Sequence, residues 1–275
     1  NMKKLNLLLL LFIIISCSDE LTLEKQFLPL KINETSGLEY FNENFITHND
    51  SGGEAKLYEF TKQGKIVNEY EIQNCGDNDD WEDITADDEN VFVSNSGNNY
   101  GNRKNLSVLI LDKKNNFNCK GKIEFKYKSQ ENFEKRNKHP YDAESIISVG
   151  NELILFSKDR KDLITELYSL PKTSGSYEIE PIYSYNVNSL ITGSDYSESL
   201  SMVALVGYDF SGNQFFYKIK NFNLDNLIGS EIEKFTIPVG KAQIEAVKII
   251  DESSFWITSE DEGNGFPRLF KFKIN

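Results

Sequence analysis

The sequence predicts an all-β protein, a five-bladed β-propeller with four strands in each blade and a closing strand from the N-terminus. The first observation is a repeat. Ser or Glu, then a small or acidic residue, then a large apolar residue recur five times at intervals of about 50 residues, a period typical of propellers and solenoids. The second is that the apolar runs are short, alternating and rich in Val, Ile, Phe and Tyr, with turn-forming residues between them. A β-sandwich is the alternative, but it does not explain the fivefold recurrence.

The first four repeats each contain four predicted strands, because four alternating apolar runs are separated by clusters of Asn, Asp, Gly and Ser. In the first repeat the predicted strands are residues 37–42, 44–48, 56–61 and 65–72. In the second they are residues 83–86, 90–94, 106–111 and 122–127. In the third they are residues 145–149, 152–157, 166–170 and 177–185. In the fourth they are residues 195–197, 201–208, 214–220 and 231–239.

The fifth repeat has only three predicted strands, at residues 246–250, 253–258 and 268–274. A strand-like segment at residues 26–32 lies upstream of the first repeat. We expect this segment to complete the last blade, because a closed ring removes the unpaired sheet edges. Pro29 is tolerated there, since the outermost strand of a blade is an edge.

The N-terminus is predicted to be a bacterial lipoprotein signal peptide. Lys3 and Lys4 precede an apolar run that ends in Ile-Ile-Ser-Cys at Cys17, and the run is too short for a membrane span of about 20 residues. The ending resembles a lipobox, which implies lipidation of Cys17; an ordinary signal peptide is the alternative. We therefore expect an outer-membrane lipoprotein that faces the periplasm or the outside. The expected signal peptide, lipidated linker and propeller domain are residues 1–16, 17–25 and 26–275.

The net charge indicates which binding partners to expect, and the cysteines indicate whether a disulfide can form. The net charge is −13, so we expect neither nucleic acid nor an anionic membrane surface as a partner, and we expect a monomer. After Cys17, the remaining cysteines are Cys75 and Cys119. An oxidising compartment would allow them to pair, but the predicted topology puts them on opposite faces of neighbouring strands, which disfavours a disulfide.

Propeller geometry brings the five pattern starts together. The innermost strand of each blade lines the central channel, and the turn before it lies on the same face as the turn between the second and third strands. The residues expected to ring this channel mouth are Ser36, Glu82, Glu144, Ser194 and Glu245. The second-strand ends expected around them are residues 48–50, 94–96, 157–159, 208–209 and 259–261.

A cation is expected at this ring. Three converging carboxylates repel one another in a partly dry channel, so either their pKa values rise or a cation neutralises them. Oxygen ligands without Cys or His favour Ca²⁺, which accepts 6–8 oxygens in flexible geometry. The alternative is that these glutamates are solvated or cap turn amides.

The chain resembles the calcium-activated nucleotidases, apyrases of the five-bladed propeller type. In that family Ser, Glu, Glu, Ser and Glu from successive blades hold a central calcium, and the matching residues here are Ser36, Glu82, Glu144, Ser194 and Glu245. The surroundings Asp80-Trp81-Glu82, 90–94 and 244–247 are also similar. The resemblance implies the fold and a calcium ion, and it overlaps with calcium-containing lactonase and gluconolactonase propellers.

Two departures from the nucleotidase pattern concern the substrate. The family has Asp-Asp-Arg-Thr-Gly after the second strand of its first blade, whereas residues 48–52 read His-Asn-Asp-Ser-Gly, without an arginine. Its paired arginines in the third blade correspond to Lys158-Asp159-Arg160-Lys161. The resemblance therefore supports the fold and the metal ion more strongly than a nucleotide substrate. Any activity has to be inferred from the residues of the site.

Arginine placement gives an independent indication of the substrate. The four arginines, at positions 103, 136, 160 and 268, all fall in predicted loops on the metal-bearing face. Arg binds carboxylate or phosphate bidentately, which suits an anionic substrate; chance placement in surface loops is the alternative. The candidate substrate-binding residues are Arg103, Arg160, Arg268, Asn95 and Lys158.

Both histidines, His48 and His139, are expected in loops on the same face. His48 lies two residues from Asp50, and the two form a candidate catalytic base with its orienting carboxylate. A hydrogen-bonded turn is the alternative. Trp81 is expected either to stack on a ligand or to wedge between blades.

Three functions follow from these residues. The first is a calcium-dependent hydrolase of an anionic ester, of the phosphoester or nucleotide class. The second is a non-catalytic surface module that binds a glycan or a protein, with structural calcium. A glycosidase with paired carboxylates is the third.

Overall fold

A computed structural model describes residues 21–240, 242–261, 263 and 265–275. The predicted signal peptide and Cys17 lie outside the described residues. Within this part of the chain, 21 β-strands form five sheets, one for each blade. No helix in it has the length and apolar character needed to cross a membrane. The predicted propeller is therefore confirmed.

The blades form from consecutive strands, with the innermost strand first. The N-terminal strand is β1 (Leu21–Phe27). Blade 1 contains β2 (Thr35–Phe41), β3 (Asn44–Asn49), β4 (Lys56–Phe60) and β5 (Ile66–Glu71). Blade 2 begins with β6 (Asp83–Ala86), β7 (Asn90–Asn95), β8 (Ser107–Asp112) and β9 (Asn118–Tyr127). The next strands are β10 (Ala143–Val149), β11 (Glu152–Ser157), β12 (Thr165–Pro171), β13 (Gly175–Ile179) and β14 (Pro181–Tyr185). Blade 4 contains β15 (Leu190–Ser197), β16 (Met202–Tyr208), β17 (Gln214–Lys220) and β18 (Glu231–Ile237).

The last blade closes the ring as expected. It contains β19 (Ile244–Ile249), β20 (Ser254–Ser259) and β21 (Arg268–Ile274), and β1 pairs antiparallel with β21 from Leu21–Ile274 to Phe27–Arg268. The closing strand thus lies upstream of the predicted residues 26–32. Pro29 is outside it, just before a short 3₁₀ turn at Leu30–Ile32, because the chain bends there from blade 5 to the start of blade 1.

The third repeat differs from its prediction, because residues 177–185 are not one strand. β13 pairs in parallel with β9 and gives blade 2 a fifth strand, whereas β14 pairs antiparallel with β12 and completes blade 3. Pro181 is the first residue of β14. Because proline has no backbone N–H, one hydrogen-bonded ladder cannot continue through residues 177–185. Ion pairs Lys126–Glu178 at 2.7 Å and Lys128–Glu180 at 2.9 Å accompany the crossover onto blade 2.

Contacts between neighbouring innermost strands close the channel: β2 lies against β6, β6 against β10, β10 against β15, β15 against β19, and β19 against β2. An apolar cluster fills each of the five interfaces between blades. Burial of these side chains, at about 25 cal/mol per Å² of apolar surface, holds each blade to the next. The channel mouth is therefore built on rigid strands.

A disulfide joins Cys75 to Cys119, whose Cα atoms lie 5.6 Å apart, so the expectation against pairing was wrong. Cys75 is not on a strand but in the connection from β5 to blade 2. Cys119 lies at the start of β9, beside a register shift opposite Ile110 and Leu111 that alters the facing of the strand. The bond indicates an oxidising, extracytoplasmic compartment.

Candidate metal centre at the channel mouth

Bulges at the starts of the innermost strands direct side chains into the mouth. The register shifts at Glu144 in β10 and at Glu245 in β19, so neither residue has a partner on the second strand. In blade 4 the corresponding shift falls at Thr192, and Ser194 lies two residues further along β15. Ser194 is thus not at the register position of the two glutamates, a difference that spacing in the sequence does not reveal.

Three carboxylates of blades 1 and 2 form the tightest cluster of the mouth among the described residues. One oxygen each from Asp50, Asp80 and Glu82 lies within 4.8 Å of the other two. Asp50 follows the second strand of blade 1, and the other two precede β6. Because Ca²⁺ binds oxygen at 2.3–2.6 Å, two oxygens on one ion lie at most about 5 Å apart. This acidic triad can therefore hold a divalent cation.

Burial and mutual repulsion raise the pKa values in and around the acidic triad. Burial and Asp80 raise the pKa of Asp50 to about 7, and burial raises that of Asp80 to about 6 despite Arg103. Burial and the neighbouring Glu144 raise the pKa of Glu82 well above its ordinary value. For Glu260, burial and Asp50 raise the pKa to about 8. Either protons or a cation must offset this charge.

Gly97 leaves room for the acidic triad. A Cβ on Gly97 would overlap Glu82 Oε1 and lie 2.5 Å from the Asp80 carboxyl carbon. Glu82 is 4% exposed, and its carboxylate receives no hydrogen bond from any described residue. A buried carboxylate without a donor is costly, and a cation would satisfy it.

Asn95 and Arg103 brace the triad from its outer side. Asn95 Oδ1 accepts a hydrogen bond from the Asp80 N–H at 3.1 Å and another from Arg103 Nη2 at 3.1 Å. Arg103 also donates to the Gly97 carbonyl at 2.5 Å and lies 3.8 Å from Asp80 Oδ2. These two candidate substrate-binding residues are therefore engaged in holding the site.

Glu144 is paired with two cations of its own chain. Lys158 Nζ contacts Glu144 Oε2, and both side chains are 4% exposed. Arg160 Nη2 lies 3.3 Å from Glu144 Oε1, and its Nε donates to Asp142 Oδ2 at 3.1 Å. Burial alone would lower the pKa of Lys158, but Glu144, Tyr208 and Glu245 raise it well above its ordinary value. Lys158 is thus a buried ammonium at the mouth.

The other ring residues have neighbours inside the protein. The Ser36 hydroxyl donates to the Glu82 carbonyl, and Glu245 Oε1 accepts from the Gln243 amide. The Ser194 hydroxyl donates to Asp83 Oδ2 at 3.2 Å. The role of the five predicted residues as joint calcium ligands therefore stays a prediction, and Ser194 lies two residues beyond the bulge of its strand.

Sequence reasoning missed the roles of Asp80 and Asp83. Asp83 is 1% exposed and accepts hydrogen bonds from backbone and side chain in the channel. Asp79, Asp80, Glu82 and Asp83 place four carboxylates in five residues at the start of β6. That density was the available signal, but spacing does not show which carboxylates face the cation and which tie blades together.

The histidines and Trp81 are buried. His48 is 0% exposed, and burial lowers its pKa to about 4. Its ring lies edge-on to Trp81, with centroids 5.6 Å apart, and Trp81 is itself 0% exposed. Trp81 is therefore a wedge between blades. His139 contacts the Asn99 carbonyl through Nε2 at 3.2 Å, so it ties two loops together.

The rim of the mouth carries a groove between blades 4 and 5. The groove has a volume of about 470 Å³, and Tyr208, Phe210, Gln214 and Gln243 are among its lining residues. Phe210 is 69% exposed. Arg268, further around the rim, donates to the Ser259 hydroxyl at 3.1 Å and lies over Phe270.

Comparisons with known proteins show no family for this chain. No family model matches the sequence, and no curated protein matches it. A structure from Bacteroides fragilis, described as a "putative exported protein", aligns over 93% of this chain and 96% of its own, with 11% identity and a TM-score of 0.47. The Pan2 WD40 domain of Neurospora crassa aligns over 90% and 77%, with 8% identity and a TM-score of 0.41.

Proposed function

We propose that the protein is a calcium-dependent hydrolase of an anionic ester, of the phosphoester or nucleotide class, anchored to the outer membrane through Cys17. The observation that carries this proposal is the acidic triad of Asp50, Asp80 and Glu82, with oxygens within 4.8 Å of one another. Oxygen ligands alone, with a buried and unpartnered Glu82, fit Ca²⁺ better than a softer metal. Bound there, the ion would orient the substrate and polarise an oxygen of the ester.

Proton transfer is assigned to carboxylates of the mouth. His48, the base expected from the sequence, has no exposed surface and a pKa of about 4. Asp50 and Glu260 have pKa values of about 7 and 8, because both are buried among other carboxylates. Groups that titrate near neutral pH suit general acid–base catalysis. Of the two, Glu260 lies outside the acidic triad and is the better candidate for accepting a proton from water.

A non-catalytic module that binds a glycan is the second candidate. Two observations favour it. Arg103 and Arg160, expected to bind an anionic substrate, are engaged with site carboxylates. The rim groove beside the mouth joins an exposed aromatic ring, Phe210, to the amides of Gln214 and Gln243. An aromatic face with adjacent amides suits a sugar ring.

Metal-free protein, prepared with EDTA, tests the proposal. We expect Ca²⁺ to raise the melting temperature, since a ligand that binds the native state stabilises it by mass action. Turnover of phosphoesters, nucleotides and lactones should require Ca²⁺ and be lost in Asp80→Asn. Asp162→Asn, an exposed carboxylate beside Lys161, is the matched control. Stabilisation without turnover, together with glycan binding, would favour the binding module; no stabilisation would exclude the cation.

Attachment to the membrane has its own test. If Cys17 carries the lipid, palmitate labelling and membrane fractionation should find the full chain in the membrane. Cys17→Ser should release it in soluble form. A soluble wild-type protein would contradict the anchor while leaving the cation site untouched.

A further inference from the structure

The buried ammonium of Lys158 lies among the carboxylates of blades 3 and 5. It contacts Glu144, and its Nζ is 5.2 Å from the centre of the Tyr208 ring. Glu245 is among the groups that raise its pKa. An ammonium has three donors and no acceptor, so it needs acceptors on several sides when it is buried. Lys158 therefore supplies positive charge to the carboxylates on the side of the mouth where it lies.

Arg160 is a second cation on this side of the mouth. Its guanidinium bonds Asp142 through Nε at 3.1 Å and approaches Glu144 through Nη2 at 3.3 Å. Glu144 thus has one cationic partner on each carboxylate oxygen. A third cation at Glu144 would lie beside two positive charges and be repelled by both.

The acidic triad on the side of blades 1 and 2 has a cationic neighbour only at longer range. Arg103 Nη1, the nearest cationic group recorded beside it, is 3.8 Å from Asp80 Oδ2 and gives its hydrogen bond to the Gly97 carbonyl. Glu82 receives no donor from the described residues. Direct ion pairing at the mouth is therefore uneven: Glu144 has two cationic partners, whereas Glu82 has none among the described residues, although the charge of Lys158 also acts on Asp50 and Asp80.

From this division we infer that the mouth contains two cation positions and that the chain's own Lys158 fills one of them. An external divalent cation then binds off the propeller axis, among Asp50, Asp80 and Glu82. Glu144 and Glu245 serve as acceptors for the Lys158 ammonium rather than as ligands of the ion. The inference rests on the proposed cation binding, and it assigns the ion to one side of the mouth.

Calorimetric titration of the EDTA-treated protein with CaCl₂ tests whether the external ion binds at the acidic triad and not at Glu144. Wild type should bind one ion, and Asp80→Asn should abolish this binding. Glu144→Gln should retain the ion with at most about a tenfold loss, the lower end of the effect of an outer-shell change. A loss of about a hundredfold or more in Glu144→Gln would make Glu144 a ligand and overturn the inference.

Lys158→Met removes the ammonium without adding a ligand oxygen. We expect it to bind a second ion and to gain more thermal stability from Ca²⁺ than wild type does. An unchanged stoichiometry in this variant would overturn the role of Lys158. If the variant folds only in the presence of Ca²⁺, that dependence is itself the expected behaviour of a site that has lost its internal cation, and the Glu144→Gln titration still decides between the two arrangements.

The same titrations separate this inference from the proposed function. Wild type that binds no Ca²⁺ would reject the calcium-dependent activity and the off-axis ion. If wild type binds no Ca²⁺ but Lys158→Met binds one ion, that result would still support Lys158 as a cation built into the chain. The double variant Glu144→Gln/Lys158→Met removes the pair and should return to the stoichiometry of wild type.

Discussion

Asp83 of blade 2 and Ser194 of blade 4 are hydrogen-bonded across the channel. The Ser194 hydroxyl lies 3.2 Å and its N–H 3.3 Å from Asp83 Oδ2. The same oxygen accepts the Ile146 N–H of blade 3 at 3.0 Å. One buried carboxylate therefore joins three blades, at a point where the chain has no covalent link between them.

Replacing Asp83 should destabilise the propeller strongly. Asp83→Ala leaves the buried N–H groups of Ile84, Ile146 and Ser194 without an acceptor, and we expect a loss of about 3–5 kcal/mol in the free energy of unfolding. Asp83→Asn keeps one acceptor oxygen and should cost less, about 1–2 kcal/mol. Urea unfolding measures both. An Asp83→Ala protein as stable as wild type would show that water replaces the carboxylate.

The ring of five blades was predictable because each blade forms from a pattern that lies within one continuous stretch of the sequence. Each blade repeats one alternating pattern, so the strands of four blades lie within a few residues of their predicted bounds. β13 was not predictable, because the ladder that takes it to blade 2 depends on a neighbour 52 residues away, as Ser176 and Glu124 show. The predicted ring ligands depended on equal spacing, whereas bulges shift Ser194 relative to Glu144. Which carboxylates a lysine pairs with is set by three-dimensional packing and not by period.

A methyl group at Gly97 should weaken cation binding. In Gly97→Ala the new Cβ would overlap Glu82 Oε1 and press on Asp80, so the two carboxylates must move apart. Displaced ligands should reduce Ca²⁺ affinity by about 10–100-fold, the range seen when the surroundings of a metal site are disturbed. Gly53→Ala is the control, since its Cβ would meet its neighbours at 3.6 Å or more. Equal affinity in both variants would place the ion away from Glu82.

Stability of the metal-free protein should fall as the pH rises from about 5 to about 8 and change little above that. Burial raises the pKa values of Asp50 to about 7 and Glu260 to about 8. A carboxyl group with a raised pKa binds more protons in the folded state than in the unfolded state between its two pKa values, so stability is lost over that interval as the pH rises. His48 has the opposite effect, because burial lowers its pKa to about 4, and it offsets part of the loss below its ordinary pKa of about 6.5.

Each pKa unit corresponds to about 1.4 kcal/mol, and each kcal/mol to about 2–4 °C in a domain of this size. We therefore expect the melting temperature in EDTA to drop by several degrees across this pH range. With saturating Ca²⁺ the drop should shrink or reverse, because the ion takes the place of the protons. A pH-independent melting temperature in EDTA would mean that these carboxyl groups are ionised throughout.

Reduction of the disulfide should destabilise the fold without affecting the mouth. The bond between Cys75 and Cys119 spans 44 residues and anchors the connection between blades 1 and 2 to β9. A loop of this length predicts a loss of about 2–4 kcal/mol in the Cys75→Ser/Cys119→Ser double variant. Thermal unfolding with and without a reductant measures the loss in wild type, and the double variant should not respond to the reductant. Ca²⁺ affinity should be unchanged, since neither cysteine belongs to the acidic triad.

His48 should contribute packing rather than proton transfer. It is fully buried beside Trp81, and its Nδ1 lies 3.1 Å from the Asn49 carbonyl. Its Nε2 has no hydrogen-bond partner among the residues that the structure describes. His48→Ala should cost about 2–4 kcal/mol through the cavity that it leaves. His48→Phe fills that space and should recover most of the stability, together with any Ca²⁺-dependent turnover. A catalytic base would behave differently: its loss lowers kcat by about 10²–10⁴-fold whatever fills the space. A stable His48→Phe protein with such a loss would restore His48 to the catalytic site, and an inflection near pH 6.5 in the wild-type profile of kcat would support that outcome.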